Sequence, residues 1–222
     1  MAKKKLQHFA ENKTFAHYFE MPFEQLSEGG QPLKGKWKAN FFKNDHPLVV
    51  EIGCGKGEYT VGQAKYFSDK NFIGVDIKGA RIWRGARTIE DEGLKNAAFV
   101  RSQAGLLPYW FAPGEVDEIW ITFPDPQPGC RQNKRLTSPR YLSIFKNFLH
   151  ENSIIHLKTD SRELFDYTME VIAENKFRLI TSIDDLYATP GNDPLHTIQT
   201  FYEKRWLEMG KKICYVSFNM PI

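Results

Sequence analysis

The sequence predicts an α/β fold of Rossmann-like type, a mostly parallel sheet with helices on both faces. Three observations carry this. From Leu48 onward, short apolar runs alternate with helix-spaced stretches, the pattern of strand–crossover–strand units. The segment "VVEIGCGKGEYT" turns the first run into a helix through Gly53, Gly55 and Gly57. The 222 residues suffice for one sizeable domain of this kind.

In chain order, "LVVEIG" reads as the first strand and "GEYTVGQAKYF" as the helix after it. "NFIGVD" is the second strand, followed by a helix with Ile82, Trp83, Ala86 and Ile89 on one side. "AAFVR" and "DEIWITF" are strands three and four. Ser138 offers a helix cap with Pro139 at the first helical position, and Tyr141, Leu142, Phe145, Phe148 and Leu149 form the apolar stripe. "SIIHLKT" is strand five, and Leu164, Phe165, Thr168, Val171 and Ile172 stripe the next helix. Then come strand six "FRLITSI", a loop "DDLYATPGNDPL", a helix "TIQTFYEKRWLEMG" and a last strand "ICYVSF". Residues 1–46 are polar and lysine-rich, and are expected to form an irregular basic arm or lid with a mobile outer end. Residues 47–222 are expected to form a single domain.

Composition excludes several classes. No apolar run approaches the roughly 18 residues of a membrane span, and "MAKKKLQHF" lacks the apolar stretch of a secretory signal. Three widely spaced cysteines, Cys54, Cys130 and Cys214, argue for a reducing cytoplasm and against a disulfide framework or a metal site. Net charge is only +3, but two stretches carry cations alone: four lysines within 29–44, and five basic residues within 126–150. They read either as a patch for a polyanion or as a solvated face.

The glycine spacing is G-x-G-x-G, not the G-x-G-x-x-G of pyrophosphate-binding loops. Glu51, just before the loop, would repel a phosphate but suits a cationic ligand such as S-adenosylmethionine, which carries an ammonium and a sulfonium. Asp76 ends the second strand, where a carboxylate can accept both ribose hydroxyls of an adenosine.

"FPDPQPGCRQNKRL" then follows strand four with three prolines in six residues, which forbid helix or central strand there. The flanking prolines hold Asp125 at low entropic cost, as a catalytic group requires. A carboxylate there can orient an acceptor ring and offset the charge that methylation places on it. The cations after it suit a phosphate backbone.

These motifs together resemble the bacterial tRNA (guanine-N7-)-methyltransferase family, from about Val49 to Phe218. The resemblance rests on "VEIGCGKG", "FPDP" with its basic tail, "HLKTD" and "TFYEKRW" in that order. It implies the class I methyltransferase fold, a seven-stranded sheet with its last strand antiparallel. It also implies a cytoplasmic enzyme that methylates guanosine 46 in the tRNA variable loop and leaves S-adenosylhomocysteine. By position, Glu51, Gly53, Gly55, Asp76, Gln103 and Asp125 would hold S-adenosylmethionine, with Asp125 catalytic. Asp160, Thr200, Phe201, Tyr202 and Glu203 would contact the guanosine, and Arg131, Lys134 and Arg135 the RNA. Gln127 and Gly129 stand where relatives usually carry a tryptophan and a substrate-binding lysine.

Other readings stand beside these. "DSRE" and "TFYE" also match capping boxes with Asp160 and Thr200 as caps. Tyr202 and Trp206 read equally as packing aromatics, and Trp83, Trp110, Trp120, His156 and Cys54 as core. An adenine-N6 methyltransferase has a similar elbow but wants an aromatic after the prolines, where this chain has Gln127. A non-catalytic RNA-binding relative is the third reading. A monomer and a homodimer are equally compatible with the pattern, and neither metal nor membrane is implied.

Overall fold

A computed structural model describes residues 2–222, with side chains from Lys5 onward. Eight strands form one sheet: β1 (Tyr18–Glu20), β2 (Leu48–Ile52), β3 (Asn71–Asp76), β4 (Ala97–Arg101), β5 (Val116–Thr122), β6 (Leu149–Thr159), β7 (Arg178–Ile183) and β8 (Cys214–Asn219). Their spatial order is β1-β4-β3-β2-β5-β6-β8-β7, and β8 runs antiparallel to both β6 and β7. The reversal between β3-β2 and β2-β5 is the switch point where such sheets bind ligands.

Alternation along the strands sets the two faces. In β2, Leu48, Val50 and Ile52 enter one core with Trp37, Leu142 and Phe165, while Val49 enters the other with Tyr59, Ile82 and Phe99. The first face is covered by α5 (Pro139–Phe145) and α6 (Arg162–Glu174), the second by α3 (Glu58–Tyr66) and α4 (Gly79–Glu92).

The N-terminal segment is not the irregular arm its composition suggests. It forms α1 (Ala2–Asn12), the edge strand β1, α2 (Phe23–Gly29) and a π-helical turn at Trp37–Phe42. Asn12 Nδ2 donates to Gly79 O at 2.8 Å, and Trp37 is 0% exposed with Nε1 donating to Trp110 O at 2.9 Å. Truncating a buried aromatic costs roughly 3–5 kcal/mol, so this segment shares the core. β1 also raises the strand count from the expected seven to eight.

Two other boundaries moved. The helix after Ser138 stops at Phe145, because Val116 N donates to Phe148 O at 3.1 Å and Leu149 already pairs in the sheet. The predicted helix through 197–210 is two pieces, α7 (Pro194–Thr197) and α8 (Phe201–Glu208). Thr200 caps the second with an extended backbone, which breaks the first from it.

On the α3 side, β5 and β6 carry polar groups. Glu118 lies 2.6 Å from Lys70 Nζ and 3.5 Å from His156 Nε2, and His156 stacks on Trp120 at 4.0 Å. Burial pushes the Glu118 carboxyl up, but His156 and Lys70 more than reverse this and hold it at about 2. A folded pKa below the unfolded value gives stability that is present above the unfolded pKa of 4.5 and lost as pH falls through 2. Roughly 3 kcal/mol should vanish across that window. Urea titrations at stepped pH check this: Glu118→Gln should flatten the acid limb, and an unchanged limb would contradict it.

Candidate active site

Every sequence-predicted motif lies at the C-terminal rim of the parallel strands. β2 ends in the loop 53–57, whose backbone is pinned by Gly53 N and Cys54 N donating to Val75 O at 2.8 and 3.0 Å. Gly53 and Gly55 adopt φ of +83° and +57°, and a Cβ at either would meet nothing within 4 Å. Their backbone therefore faces open space that a ligand can approach. Gly57 does a different job: a Cβ there would sit 2.3 Å from the Phe99 ring, so it lets α3 close on the sheet.

Asp76, at the end of β3, accepts from Gly55 N at 2.9 Å and from Lys78 N at 2.8 Å. It shapes the loop while further lone pairs on its half-buried carboxylate remain for hydroxyl donors. Glu51 lies beneath the loop. Its Oε2 accepts from Thr60 N at 2.9 Å and from Thr60 Oγ1, and its Oε1 from Thr122 Oγ1 at 2.5 Å. Burial pushes this carboxyl up despite those bonds, and a cationic ligand above it would draw it back down. Gln103 is exposed just past β4, its side-chain amide without a partner among the described residues.

The Glu51–Thr122 bond also ties β2 to the end of β5, so the proline elbow starts beside the glycine loop. Phe123 and Gln127, on either side of Asp125, take positive φ of 47° and 45°. Such values cost bulky residues about 1 kcal/mol or more each, and they gather at functional sites. Asp125 itself is exposed, its Oδ1 accepting from Gln127 N at 3.1 Å.

The "TFYE" run reaches the same rim from the far end of the chain. The capping box is present: Thr200 Oγ1 accepts from Glu203 N at 3.1 Å, and Glu203 reaches back to Thr200 N. Phe201 N donates to Glu58 Oε2 at 2.8 Å, and Lys56 Nζ sits 4.0 Å from the Phe201 ring centroid. The first turn of α8 is thus fastened to the glycine loop and its helix. Phe201 and Tyr202 remain exposed, at 49% and 39%.

Three expectations need correction. Glu203 does not face the rim; it is fully buried, paired with Lys158 Nζ at 2.6 Å and bonded to Tyr187 Oη at 2.6 Å. Arg135 does not face solvent either; it is 1% exposed, because its guanidinium is engaged by Pro126 O, Glu163 and the Tyr167 ring. Only Arg131 and Lys134 of that trio are exposed. Asp160 is not a helix cap; Ser161 caps α6, and Asp160 pairs with Lys211 Nζ at 2.7 Å. In the other cationic stretch, Lys34 donates to Pro108 O and Lys38 pairs with Asp117, so that stretch is partly neutralised at home.

Sequence reasoning passed over Thr60, Thr122 and Lys158. A lysine and a threonine at inward positions of otherwise apolar strands were the available signal. Among the described residues, no helix is long and apolar enough to cross a membrane, and no cluster of His, Cys, Asp or Glu could hold a metal ion.

Residues 45–216 match the family described as putative methyltransferases. The chain is 49% identical to the tRNA (guanine-N(7)-)-methyltransferase of Christiangramia forsetii, covering 99% of each. It is 47% identical to the enzyme of that name from Bacteroides fragilis, covering all of this chain and 87% of the relative. The 16S rRNA (adenine(1408)-N(1))-methyltransferase from Catenulisporales acidiphilia superposes with a TM-score of 0.60 at 15% identity, over 86% of this chain and 95% of that one. That likeness concerns the fold alone.

Proposed function

The chain belongs to the tRNA (guanine-N(7)-)-methyltransferase family, and from that premise we propose how its own residues divide the work. The reaction is methyl transfer from S-adenosylmethionine to N7 of a guanosine in tRNA, which we take to be the variable-loop guanosine. The relatives lend no support to an adenine-N6 activity or to a non-catalytic role. Three free cysteines favour a cytoplasmic setting.

Bound S-adenosylmethionine supplies a methyl group on positive sulfur, and Glu51, Gly53, Gly55, Asp76, Gln103 and Asp125 are the residues that would hold it. The open backbone at Gly53 and Gly55 fits such a group, as does the carboxylate pair Glu51 and Asp76 around the loop. Guanine N7 has a free lone pair, so no proton has to be removed from it. Asp125 therefore acts by orientation and charge: it accepts N–H bonds from the purine and offsets the positive charge the ring gains. Asp160, Thr200, Phe201 and Tyr202 would seat the guanosine, with Glu203 acting from below through the first turn of α8. Arg131 and Lys134 are the exposed cations of the tail suited to phosphate.

One observation carries this reading. Motifs from four parts of the chain are bonded to one another at one rim, through Gly55 to Asp76, through Thr122 to Glu51 and through Phe201 to Glu58. The test is to incubate the protein with methyl-labelled S-adenosylmethionine and unmodified tRNA, then digest and separate the nucleosides. Label in N7-methylguanosine is expected. Label in N6-methyladenosine, or none in RNA, would overturn the reading.

A further inference from the structure

We propose that Arg135 is a positioning residue that fastens the Asp125 elbow to α6, a role distinct from RNA contact; this rests on the reading of Asp125 given above. A cation in a proline-rich loop would ordinarily be solvated, and a buried arginine needs partners for its fork of donors. Arg135 has them on two sides, through Nε and one terminal nitrogen, while Nη1 is buried without a partner among the described residues. Its Nε donates to Pro126 O at 2.9 Å, one residue from Asp125. A terminal nitrogen of the guanidinium bonds Glu163, and the guanidinium lies 4.5 Å from the centroid of the Tyr167 ring. Glu163 and Tyr167 are one turn apart on α6, so together they offer one carboxylate and one aromatic face to a single planar group.

The chemistry explains why the residue is arginine. A lysine ammonium is a single point and cannot bond Pro126 O and Glu163 while lying flat on Tyr167. The elbow is anchored at its start, where Phe123 N donates to Lys158 O at 2.8 Å, but past that point Pro124, Pro126 and Pro128 lack donors and the Asp125–Gln127 bond is internal to the turn. Arg135 is thus the link by which a turn with two positive-φ residues is kept in one place on a helix. Displacing a reacting group by about 1 Å can cost on the order of 100-fold in rate.

The experiment is a double-mutant cycle on turnover with tRNA affinity read in parallel. Arg135→Lys should lower kcat about tenfold to a hundredfold and leave the tRNA Kd within about twofold. In the Asp125→Ala background the same substitution should change kcat less than about threefold, because the group it positions is gone. Glu163→Ala removes the outer partner at its 55% exposed carboxylate, and a thermal melt of the variant separates the cost of leaving the buried guanidinium short of that partner from the effect on turnover. The substitution should lower kcat about threefold to tenfold with unchanged KM for tRNA. Lost tRNA affinity with intact kcat in Arg135→Lys would make it an RNA contact and overturn the proposal. So would equal losses in both backgrounds, which mean general damage, or wild-type kcat in Glu163→Ala. Wild-type turnover in Asp125→Ala alone would instead sink the underlying role of Asp125.

Discussion

Asp125→Ala should lower single-turnover methylation of tRNA about 10²–10³-fold while tRNA affinity stays within about threefold. The split follows from where each interaction is made. Affinity for a folded RNA comes mostly from phosphates meeting cations, and the substitution leaves in place the exposed Arg131 and Lys134, to which the proposal gives that role. In the proposed role Asp125 acts when the purine ring gains positive charge, and an interaction that strengthens only then acts on kcat. Its value depends on not having to reorganise. The flanking prolines, the bond from Gln127 N at 3.1 Å, and the Phe123 and Gln127 backbone at positive φ all fix the carboxylate before substrate arrives. Asp125→Asn keeps the shape and loses the charge, so it should fall between wild type and alanine. Equal losses of rate and affinity in Asp125→Ala would contradict this role and return the residue to plain binding.

The strands from β2 onward could be read directly, because short continuous apolar runs closed by glycine or a turn, alternating with helix-spaced stretches, leave few alternatives. The glycine loop, Asp76 and the capping box at Thr200 were legible for the same reason: each is a local device with a fixed residue spacing. What escaped was set by distant packing. β1 is three residues long and exists because β4 offers an edge, which nothing in "YFE" announces. In "TDSRE" both Asp160 and Ser161 can cap a helix, and Lys211, some fifty residues later, draws Asp160 away. Arg135 looked like a surface cation since charge alone implies solvent, and its Glu163 and Tyr167 partners lie on another element. Lys158 and Glu203 were half legible: a lysine at an inward position of "SIIHLKT" implies a buried partner without saying which.

That pair carries the second large effect. Lys158 and Glu203 are both fully buried at 2.6 Å. Lys158 also donates to Leu195 O at 2.6 Å, and Glu203 accepts from Tyr187 Oη, so β6, α7, the loop before it and the first turn of α8 meet at one point. Burial pushes the Lys158 ammonium down and Glu203 opposes that shift, so each charge is tolerable only because of the other. Glu203→Ala strands an ammonium in the interior and should cost about 3–5 kcal/mol, or roughly 8–15 °C in melting temperature for a chain of this size. Lys158→Met should cost a similar amount by stranding the carboxylate. Combining Lys158→Met with Glu203→Leu should return most of that stability, since an apolar pair of like volume bears no desolvation penalty. Methylation should stay depressed in the double variant, because the bond that sets the first turn of α8 against β6 is still missing. Thermal melts of the three variants, read beside the methylation assay, decide it. Single variants melting within about 3 °C of wild type would show that the two charges reach water, and the buried pair would lose its place in the account of how Thr200, Phe201 and Tyr202 are held at the rim.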